Sequence, residues 1–383
     1  MLYNNLTMAL IDKQIFSFEP KMTYLKTIYV YNCYASQNFD IDFSPKAGDS
    51  FRHLIVTGKN GSGKTTLLNA LDNALMEKSG TDEEPKIDVT LTDDNGWCLT
   101  DFLAEGLYDY FKVERDTTVL KVKSPKKIDR IDLEEPLSQL IVQFLVNKKT
   151  QQAYAYQDGE QHTVQQIEQW FNQFEQQLKF LFDEVALRLE FSRQEFNFYL
   201  QLPNQVHFYF NQLSHGYAQV ISIIAEILIA IETQSEKSFS DNPSGIILID
   251  EIENHLHLEL QEKILPFLTT TFPQLQFIVA THSPAVIASI SNATVYDLTT
   301  HRTVNEILTG IPYHVLMKSH FGIESEYSRL ATEKLKNAKE LIQKGDKRTE
   351  VDDEKLRRLA QELDELSPDL ISFKWFYGPQ ISA

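Results

Sequence analysis

Hydrophobic and polar positions alternate in two segments near the start of the chain, residues 25–31 and 39–43. Alternation of this kind predicts strands with one buried face. Three later segments, 54–56, 245–250 and 276–282, are instead dominated by uninterrupted apolar runs. Such runs are typical of parallel strands that are covered on both faces. The pattern therefore predicts an antiparallel β part followed by a buried parallel sheet.

Apolar residues at helical spacing predict helices between and after these strands. The predicted helices cover 67–75, 163–189, 215–233, 256–268, 325–345 and 352–366. Further strands are predicted at 87–91, 196–202, 206–210 and 295–298. The strand at 295–298 is expected at an edge of the sheet, and Asn95-Gly96 predicts a hairpin turn. Thr163 is the expected N-cap of the long second helix, whose apolar stripe either packs within its own domain or faces another subunit.

The order of the elements predicts an α/β fold. An N-terminal antiparallel β part and a parallel-sheet core are expected to occupy residues 1–310. An inserted arm is expected to interrupt this core at 97–195, and a helical region to follow at 311–383. A chain of 383 residues is long enough for one large or two ordinary domains.

The composition indicates a folded, acidic protein, with 42% hydrophobic residues and a formal net charge of −18. This charge disfavours broad attraction to nucleic acid. A local basic cluster is the exception and is either a solvated loop or a nucleic-acid contact. Its members are Lys121, Lys123, Lys126, Lys127 and Arg130.

Cysteine content and the apolar segments indicate the cellular compartment. The two cysteines form no metal-ligand pattern, which indicates a reducing environment. No signal peptide is evident, and the apolar stretch 220–231 is too short to span a bilayer. We therefore expect a cytoplasmic protein with no membrane contact.

The strand at 54–56 leads into a glycine-rich loop, and a helix follows. Strand, loop and helix in this order indicate a P-loop. Glycines allow successive backbone N–H groups to point at a phosphate, and the helix N-terminus adds partial positive charge. We expect Lys64 to reach the β- and γ-phosphates and the Thr65 hydroxyl to ligate Mg²⁺. The candidate nucleotide-binding residues of this loop are Gly58, Asn60, Gly61, Ser62, Gly63, Lys64, Thr65 and Thr66.

Polar side chains end both later apolar runs. Asp250 and Glu251 follow the first run, and Thr281-His282-Ser283 closes the second. An aspartate at a strand end can hold Mg²⁺, and an adjacent glutamate can polarise the water that attacks the γ-phosphate. His282 can sense the same phosphate through a hydrogen bond. Acidic pairs at strand ends are also common solvated features, and single histidines are commonly structural.

A second candidate phosphate site lies at the start of the helix that follows residue 213. Ser214 and Gly216 open this helix, and a helix N-terminus attracts anions. Each such effect is worth about 0.3–1 kcal/mol. The helix is therefore expected to position a phosphate rather than to bind it alone.

In combination these motifs resemble those of the ABC-type ATPase superfamily. The signature corresponds to Leu213-Ser214-x-Gly216-x-x-Gln219, and the resemblance covers about 25–95 and 205–300. It implies a P-loop ABC-type ATPase core with ATP and Mg²⁺ as ligands. It also implies a homodimer that sandwiches two ATP molecules, in which Ser214, Gly216 and Gln219 contact the nucleotide held by the other subunit.

The residues around the motifs are similar to those of the SMC/RecF/OLD group. The sequence Asp-Glu-Ile-Glu-Asn-His-Leu-His at 250–257 and the sequence Ala-Thr-His-Ser-Pro at 280–284 carry this similarity. Glu253 to His257 then occupy the position of the D-loop. Glu253, His255 and His257 mimic a metal cluster, but their spacing on a loop does not favour one. The glutamine loop of the family is not evident, and Gln143 is its candidate.

The sequence also lacks features of several branches. No long coiled coil separates the two halves, and no acidic cluster after His282 indicates a Toprim nuclease. The chain is similar to the ATPase subunits of two-component anti-phage systems of the Septu type, in which an HNH nuclease is a separate chain. We expect an ATP-hydrolysing dimer that regulates such a nuclease and cuts no nucleic acid itself.

Two alternatives remain. One is a RecF-like DNA-binding ATPase of replication or repair. The other, a transporter motor, is disfavoured because the apolar segment 220–224 stands where basic residues usually follow the signature. The aromatic segment 373–377 either packs on its own core or docks the partner.

Overall fold

The structure is a computed structural model of the 383-residue chain. The residues that it describes are 24–33, 36–76, 86–92, 106–112, 124, 140–203, 207–238, 244–304, 308–313, 315–316 and 329–366. The chain divides into two compact units, Met1–Ile311 and Pro312–Ala383. The predicted hairpin turn at Asn95-Gly96, the basic side chains of 121–130 and the aromatic segment 373–377 lie outside the described residues.

The described strands and helices are numbered in chain order. The strands are β1 (Tyr24–Cys33), β2 (Ser36–Asp42), β3 (His53–Thr57), β4 (Lys86–Thr92), β5 (Leu107–Phe111), β6 (Arg188–Ser192), β7 (Asn197–Gln201), β8 (Phe208–Tyr209), β9 (Gly245–Ile249), β10 (Leu275–Ala280), β11 (Ala293–Asp297) and β12 (Arg302–Val304). The helices are α1 (Lys64–Leu75), α2 (Ile141–Asp158), α3 (Gln161–Phe182), α4 (His215–Ser238), α5 (Leu258–Thr271), α6 (Pro284–Ile287), α7 (Arg329–Gln343) and α8 (Glu350–Leu366).

The central sheet of the first unit has the strand order β12-β11-β3-β10-β9-β5. All neighbouring pairs are parallel except β11 and β12. Every residue of β3, β9 and β10 is buried, as the uninterrupted apolar runs predict. Because these strands are parallel, their carboxyl ends meet at one edge of the sheet. The α/β fold with a parallel-sheet core is therefore confirmed.

The prediction of an edge strand at 295–298 is wrong in one respect. This segment corresponds to β11, which is an internal strand because β12 pairs antiparallel along its outer side. β12 is three residues long. A strand that short carries too little alternation to be recognised from the sequence.

The N-terminal antiparallel sheet, in the order β2-β1-β4, confirms the predicted β part. The apolar face of β1 and β2 is buried with the leucines of α1 in one hydrophobic cluster. A buried glutamine joins the sheet to the core. Gln276 of β10 accepts from the N–H of Leu25 at 2.7 Å and donates to the carbonyls of Leu25 (2.9 Å) and Arg52 (2.7 Å). The first strand is thus held against the central sheet by directional bonds as well as by packing.

The range 97–195, predicted as an inserted arm, is not separate from the core. Its strand β5 pairs in parallel with β9 and completes the central sheet. The hydroxyl groups of Tyr108 and Tyr110 donate to Asp72 (2.8 Å) and Asn69 (3.0 Å) on α1. Any insertion therefore begins after β5. Asp109 interrupts the apolar residues of β5. The strand therefore does not form an uninterrupted apolar run and was not recognised from the sequence.

The long helix α3 begins at Gln161, two residues before the predicted cap. Its N-cap is Glu160, and the Thr163 hydroxyl donates to the Glu160 carboxylate at 3.1 Å. The buried positions of the predicted stripe are Ile167, Phe171, Phe174, Leu178 and Leu181. Since α3 packs against α2 and α5 of the same chain, the stripe lies within its own unit.

The segment His215–Gln234 of α4 is long and apolar enough to cross a membrane, but 67% of its most apolar window is buried inside the fold, as expected of a core helix. In the second unit α7 and α8 pack on each other around a small apolar cluster. Lys334 and Lys344 of this unit pair with Glu362 and Asp352.

His53 of β3 is buried beside Arg52, and its neutral form is required for a hydrogen bond. Its Nδ1 accepts from the N–H of Phe277 at 3.0 Å. Burial, and then the charge of Arg52, lowers the pKa of His53 to about 4. The pKa of an unfolded histidine is about 6.5. Below that pH the unfolded chain therefore binds a proton that the folded chain excludes, and stability falls as the pH drops towards 4.

We expect His53 to reduce the free energy of unfolding by about 1.3 kcal/mol between about pH 7.5 and 5.5. His53→Asn keeps a side-chain oxygen that can accept from Phe277 but removes the titration. This variant should therefore lose less stability than the wild type over that interval, by about the same amount. Urea unfolding of both proteins at the two pH values measures the difference. An identical pH dependence in the two proteins would contradict the assignment.

Candidate functional site

The predicted P-loop lies between β3 and α1. Gly58 and Gly63 have φ angles of 142° and 97°, a region that side chains disfavour. A Cβ atom at Gly58 would lie 2.7 Å from the Ser62 Oγ, so a larger residue does not fit. Gly63 is the N-cap of α1 and provides no side-chain cap. The first turn of α1 therefore has backbone N–H groups without a side-chain acceptor, as a phosphate site requires.

Lys64 is the buried positive charge of this loop, with 6% of its surface exposed. Its Nζ donates to the carbonyl oxygen of Gly58 at 3.2 Å and lies 3.4 Å from the Nδ1 of His282. Burial lowers the pKa of Lys64, and the charges of Glu253, Asp250 and Glu251 oppose this effect. The ammonium group is thus placed among the acidic residues that follow β9.

Asp250 and Glu251 lie at the carboxyl end of β9, and β10 separates this strand from β3. Asp250 is buried, which raises the pKa of its carboxyl group, and a hydrogen bond from Thr65 acts in the opposite direction. A carboxylate beside a hydroxyl group is an oxygen donor set of the kind that Mg²⁺ prefers. Thr65 and Asp250 therefore fit the predicted metal site.

Glu251 is half-buried and has a φ of 44°, an uncommon angle for a residue other than glycine. The turn that follows is closed by a hydrogen bond from the Asn254 N–H to the Glu251 carbonyl at 2.9 Å. Backbone strain of this kind is concentrated at functional sites. It is a feature that the sequence did not reveal.

His282 follows the end of β10 and is brought to the P-loop. Its pKa is lowered, chiefly by burial and then by the charge of Lys64, and a hydrogen bond to the backbone of Gly58 opposes this effect. The neutral ring is therefore favoured, so that Nδ1 is able to accept from the Lys64 ammonium. The tertiary structure brings together Lys64, Thr65, Asp250, Glu251 and His282, which are far apart in the sequence.

Glu253 is a site residue whose role the sequence analysis missed. Its Oε2 accepts from the Thr281 hydroxyl at 2.7 Å, and its Oε1 accepts from the backbone N–H of His282. The sequence placed Glu253 only in a loop after the acidic pair. Its spacing from Glu251 carries no signal for this contact, because the partners lie 28 and 29 residues away.

The predicted signature residues occupy different environments. Ser214 is exposed, whereas a Cβ atom at Gly216 would lie 3.1 Å from the carbonyl oxygen of His255. The rings of His215 and His255 are in edge contact with centroids 4.4 Å apart. A Cβ atom at Gly216 would also lie 3.3 Å from the Leu260 side chain of α5, and the Tyr217 ring stacks on Phe182 with centroids 4.3 Å apart.

Gln219, predicted as a nucleotide contact, is buried. Its side chain is 3% exposed, and its Oε1 has no hydrogen-bond partner among the described residues. The helical spacing of the signature did not reveal this, because Gln219 falls on the buried face of α4.

The other candidates are not joined to the site. Gln143 lies in the first turn of α2. Its Nε2 donates to the carbonyl of Ser124 at 3.1 Å and to the Asn147 Oδ1 at 2.9 Å, and neither partner belongs to the P-loop. Among the described residues, no group of three histidine, cysteine or acidic side chains is arranged to hold a metal ion.

The sheet, the glycine-rich loop before α1 and the polar ends of β9 and β10 are consistent with a P-loop ABC-type ATPase core. Comparison with known proteins agrees with this class. The family described as "AAA domain, putative AbiEii toxin, Type IV TA system" matches residues 142–288. That range contains the signature, the acidic pair and His282.

Curated proteins similar to this chain are named as retron ATPases and Septu proteins. The chain is 40% identical over 88 residues to the retron Ec83 probable ATPase of Escherichia coli, a match that covers 23% of this chain and 16% of the relative. It is 23% identical over 290 residues to the Septu protein PtuA of Bacillus mycoides, covering 69% of this chain and 39% of the relative. It is 25% identical over 280 residues to the Septu protein PtuA of Bacillus thuringiensis, a match that covers 61% of this chain and 66% of the relative.

These matches confirm the resemblance to SMC/RecF/OLD-type ATPases of anti-phage systems. The chain spans well under half the length of the retron Ec83 ATPase and of the Bacillus mycoides PtuA protein. An SMC head bound to the C-winged helix domain of ScpA aligns with a TM-score of 0.42 and 13% identity, covering 72% of this chain and 94% of that structure. At this level of likeness the alignment carries no functional information.

Proposed function

We propose that the chain is an ATPase that binds and hydrolyses ATP as a homodimer and regulates a separate nuclease in anti-phage defence. The observation that carries the ATPase assignment is the convergence at the end of the sheet. The Lys64 ammonium lies 3.4 Å from the His282 ring, and Thr65 is near enough to Asp250 to lower the pKa of its carboxyl group. These residues lie beside the N-terminus of α1, which has no side-chain cap. Charged and polar groups beside free N–H groups are the arrangement that a phosphate site requires.

In the proposed site the P-loop backbone and Lys64 hold the β- and γ-phosphates. Lys64 already donates to backbone carbonyls of Gly58 and Lys59, so it exchanges these neutral acceptors for charged phosphate oxygens. Hydrogen bonds to charged groups are stronger than those to neutral ones. His282 is placed to contact the γ-phosphate next to Lys64.

Glu251 is the proposed general base that orients and deprotonates the attacking water. Glu251 follows Asp250 directly, and its negative charge raises the pKa of Lys64. When bound, Mg²⁺ would neutralise charge that develops on the phosphates, and Thr65 and Asp250 are the residues that would hold it. Metal binding and water activation are thus divided between neighbouring carboxylates: Asp250 would hold the metal ion, and Glu251 would act on the water.

The dimer is proposed because the resemblance to ABC-type ATPases implies a sandwich in which the signature of one subunit faces the P-loop of the other. Ser214 is exposed at the start of α4, beside the loop that follows β9. A second subunit would bring its P-loop to this surface. Gly216 is packed against His255 of its own subunit, so Ser214 is the better position at which to test contact across subunits.

The defence role rests on the relatives. They are named as Septu and retron proteins, and Septu-type ATPases resemble this chain in sequence motifs. The nuclease partner, which we expect to be of the HNH type, and the cytoplasmic location are part of the proposal on the same ground.

Lys64→Ala should weaken ATP binding by about 10- to 100-fold, because a hydrogen bond to a charged group is worth about 1.5–3 kcal/mol. Isothermal titration calorimetry with a non-hydrolysable ATP analogue measures the change. Lys46→Ala removes an exposed lysine outside the P-loop and serves as the control with unchanged affinity. Wild-type affinity in a folded Lys64→Ala protein would overturn the nucleotide site.

Glu251→Gln should slow ATP hydrolysis by about 10²–10⁴-fold, the usual contribution of a general base, and leave ATP affinity near that of the wild type. Because the bound ATP persists, the dimer should accumulate in native mass spectra. Turnover at the wild-type rate would show that another residue activates the water. An ATP-bound protein that stays monomeric would contradict the dimer.

Co-expression with the open reading frame next to its gene tests the regulatory role. We expect a nuclease to co-purify and nucleic acid to be cut only when both chains are present, in a manner that Lys64→Ala changes. Cleavage by the purified chain alone would contradict the proposal. If no partner is found and the chain instead retains duplex DNA with ATP and a steep salt dependence, the RecF-like alternative would replace it.

A further inference from the structure

The carboxylate of Glu253 joins two loops that each carry a predicted functional residue. Glu253 lies two residues after Glu251, in the loop that follows β9. Its Oε2 accepts from the Thr281 hydroxyl at 2.7 Å, and its Oε1 accepts from the backbone N–H of His282 at 2.5 Å. Hydrogen bonds to an ionised acceptor are short and strong. Both oxygens are therefore used to hold the segment that presents His282.

These bonds lie where the sheet no longer holds the two loops together. β9 and β10 are paired up to Ile249 and Val279. Beyond that pair, a single backbone bond from the Ile252 N–H to the Ala280 carbonyl, at 3.4 Å, joins the two strands. Within the described residues, no neighbouring strand offers a carbonyl oxygen to the N–H of His282, and the Glu253 side chain supplies the acceptor instead.

Hydrogen bonds on the far side of His282 hold the next residue independently. The Ser283 hydroxyl donates to the Gln261 Oε1 at 2.7 Å and accepts from the N–H groups of Ala285 and Val286. The Gln261 Nε2 donates to the carbonyl of Leu256 at 2.7 Å. This part of the chain is therefore anchored without Glu253, so that removal of the Glu253 carboxylate frees the backbone at His282 without releasing α6.

We propose that Glu253 is a positioning residue that sets the place of His282 relative to Lys64, and so links the loop of the proposed base Glu251 to the residue that senses the γ-phosphate. The contact path runs from the Glu253 carboxylate to the His282 backbone, and from the His282 ring to the Lys64 ammonium at 3.4 Å. The inference rests on the proposed ATPase function and adds a residue that neither binds nucleotide nor acts on water.

Glu253→Ala should lower kcat by about 10²-fold, the cost of a small misplacement in an active site, and change ATP affinity by less than about threefold. Glu253→Gln keeps a carbonyl oxygen for the His282 N–H and should restore kcat to within about tenfold of the wild type. Glu259→Gln is the matched control, because Glu259 is an exposed acidic residue on α5 that forms an ion pair with Lys263. It should leave both quantities unchanged.

Hydrogen exchange provides a readout that does not depend on turnover. In nucleotide-free protein, the amide of His282 should exchange faster in Glu253→Ala than in the wild type or in Glu259→Gln, because it has lost its acceptor. The amides of Ala285 and Val286 should be unaffected. Equal protection at His282 in all variants would overturn the proposal, and so would a general loss of protection with equal falls in affinity and kcat, which indicates a structural role.

A double-mutant cycle separates this inference from the proposed function. If Glu253 acts through His282, Glu253→Ala should lower kcat by less than about twofold when His282→Ala is already present, since the two residues act as a unit. Full additivity of the two effects would overturn the positioning role while leaving the ATPase assignment intact. An unchanged kcat in His282→Ala alone would instead contradict the proposed role of His282.

Discussion

The candidate site depends on keeping a buried lysine charged. Lys64 is withdrawn from solvent at the base of the P-loop, and burial alone favours loss of its proton. An isolated ammonium group in such a place is costly unless acceptors and opposite charges surround it. Two carbonyl oxygens and the acidic residues after β9 supply both. The parallel pairing of β3, β10 and β9 is what brings them within range.

The same requirement explains the shape of the loop that follows β9. Several carboxylates leave this strand within four residues, and like charges at that spacing repel unless they point apart. The loop turns sharply, with Glu251 and His255 both at positive φ. Thr65 acts on the pKa of the Asp250 carboxyl, and the Glu253 carboxylate accepts from Thr281 and His282 at the end of β10. Asp250 and Glu253 thus face different neighbours, which reduces the repulsion among the carboxylates around Lys64.

The framework around the site is held by a few directional contacts. Gln276 ties the first strand to the central sheet through three hydrogen bonds. Tyr108 and Tyr110 tie β5 to α1, the helix that begins with Lys64. On the opposite side, the Lys59 N–H donates to the Thr299 hydroxyl at 2.8 Å. The P-loop is therefore supported from both edges of the sheet.

The sequence alone determined the features that depend on local chemistry. Uninterrupted apolar runs identified β3, β9 and β10, because a strand covered on both faces has no polar side. The glycine spacing and Lys64 identified the P-loop, since only that order of residues bends the backbone around a phosphate. The acidic pair and His282 were recognised from their positions at strand ends.

Only the tertiary structure decided what depends on contacts between distant residues. It placed Glu253 on the backbone of His282, buried Gln219, and moved β5 from a supposed insertion into the sheet. Local patterns of hydrophobicity carry no information about which strand lies next to which, or about which carboxylate meets which N–H group. Those relations arise when the sheet assembles, because pairing is set by the burial of whole faces and not by any single residue.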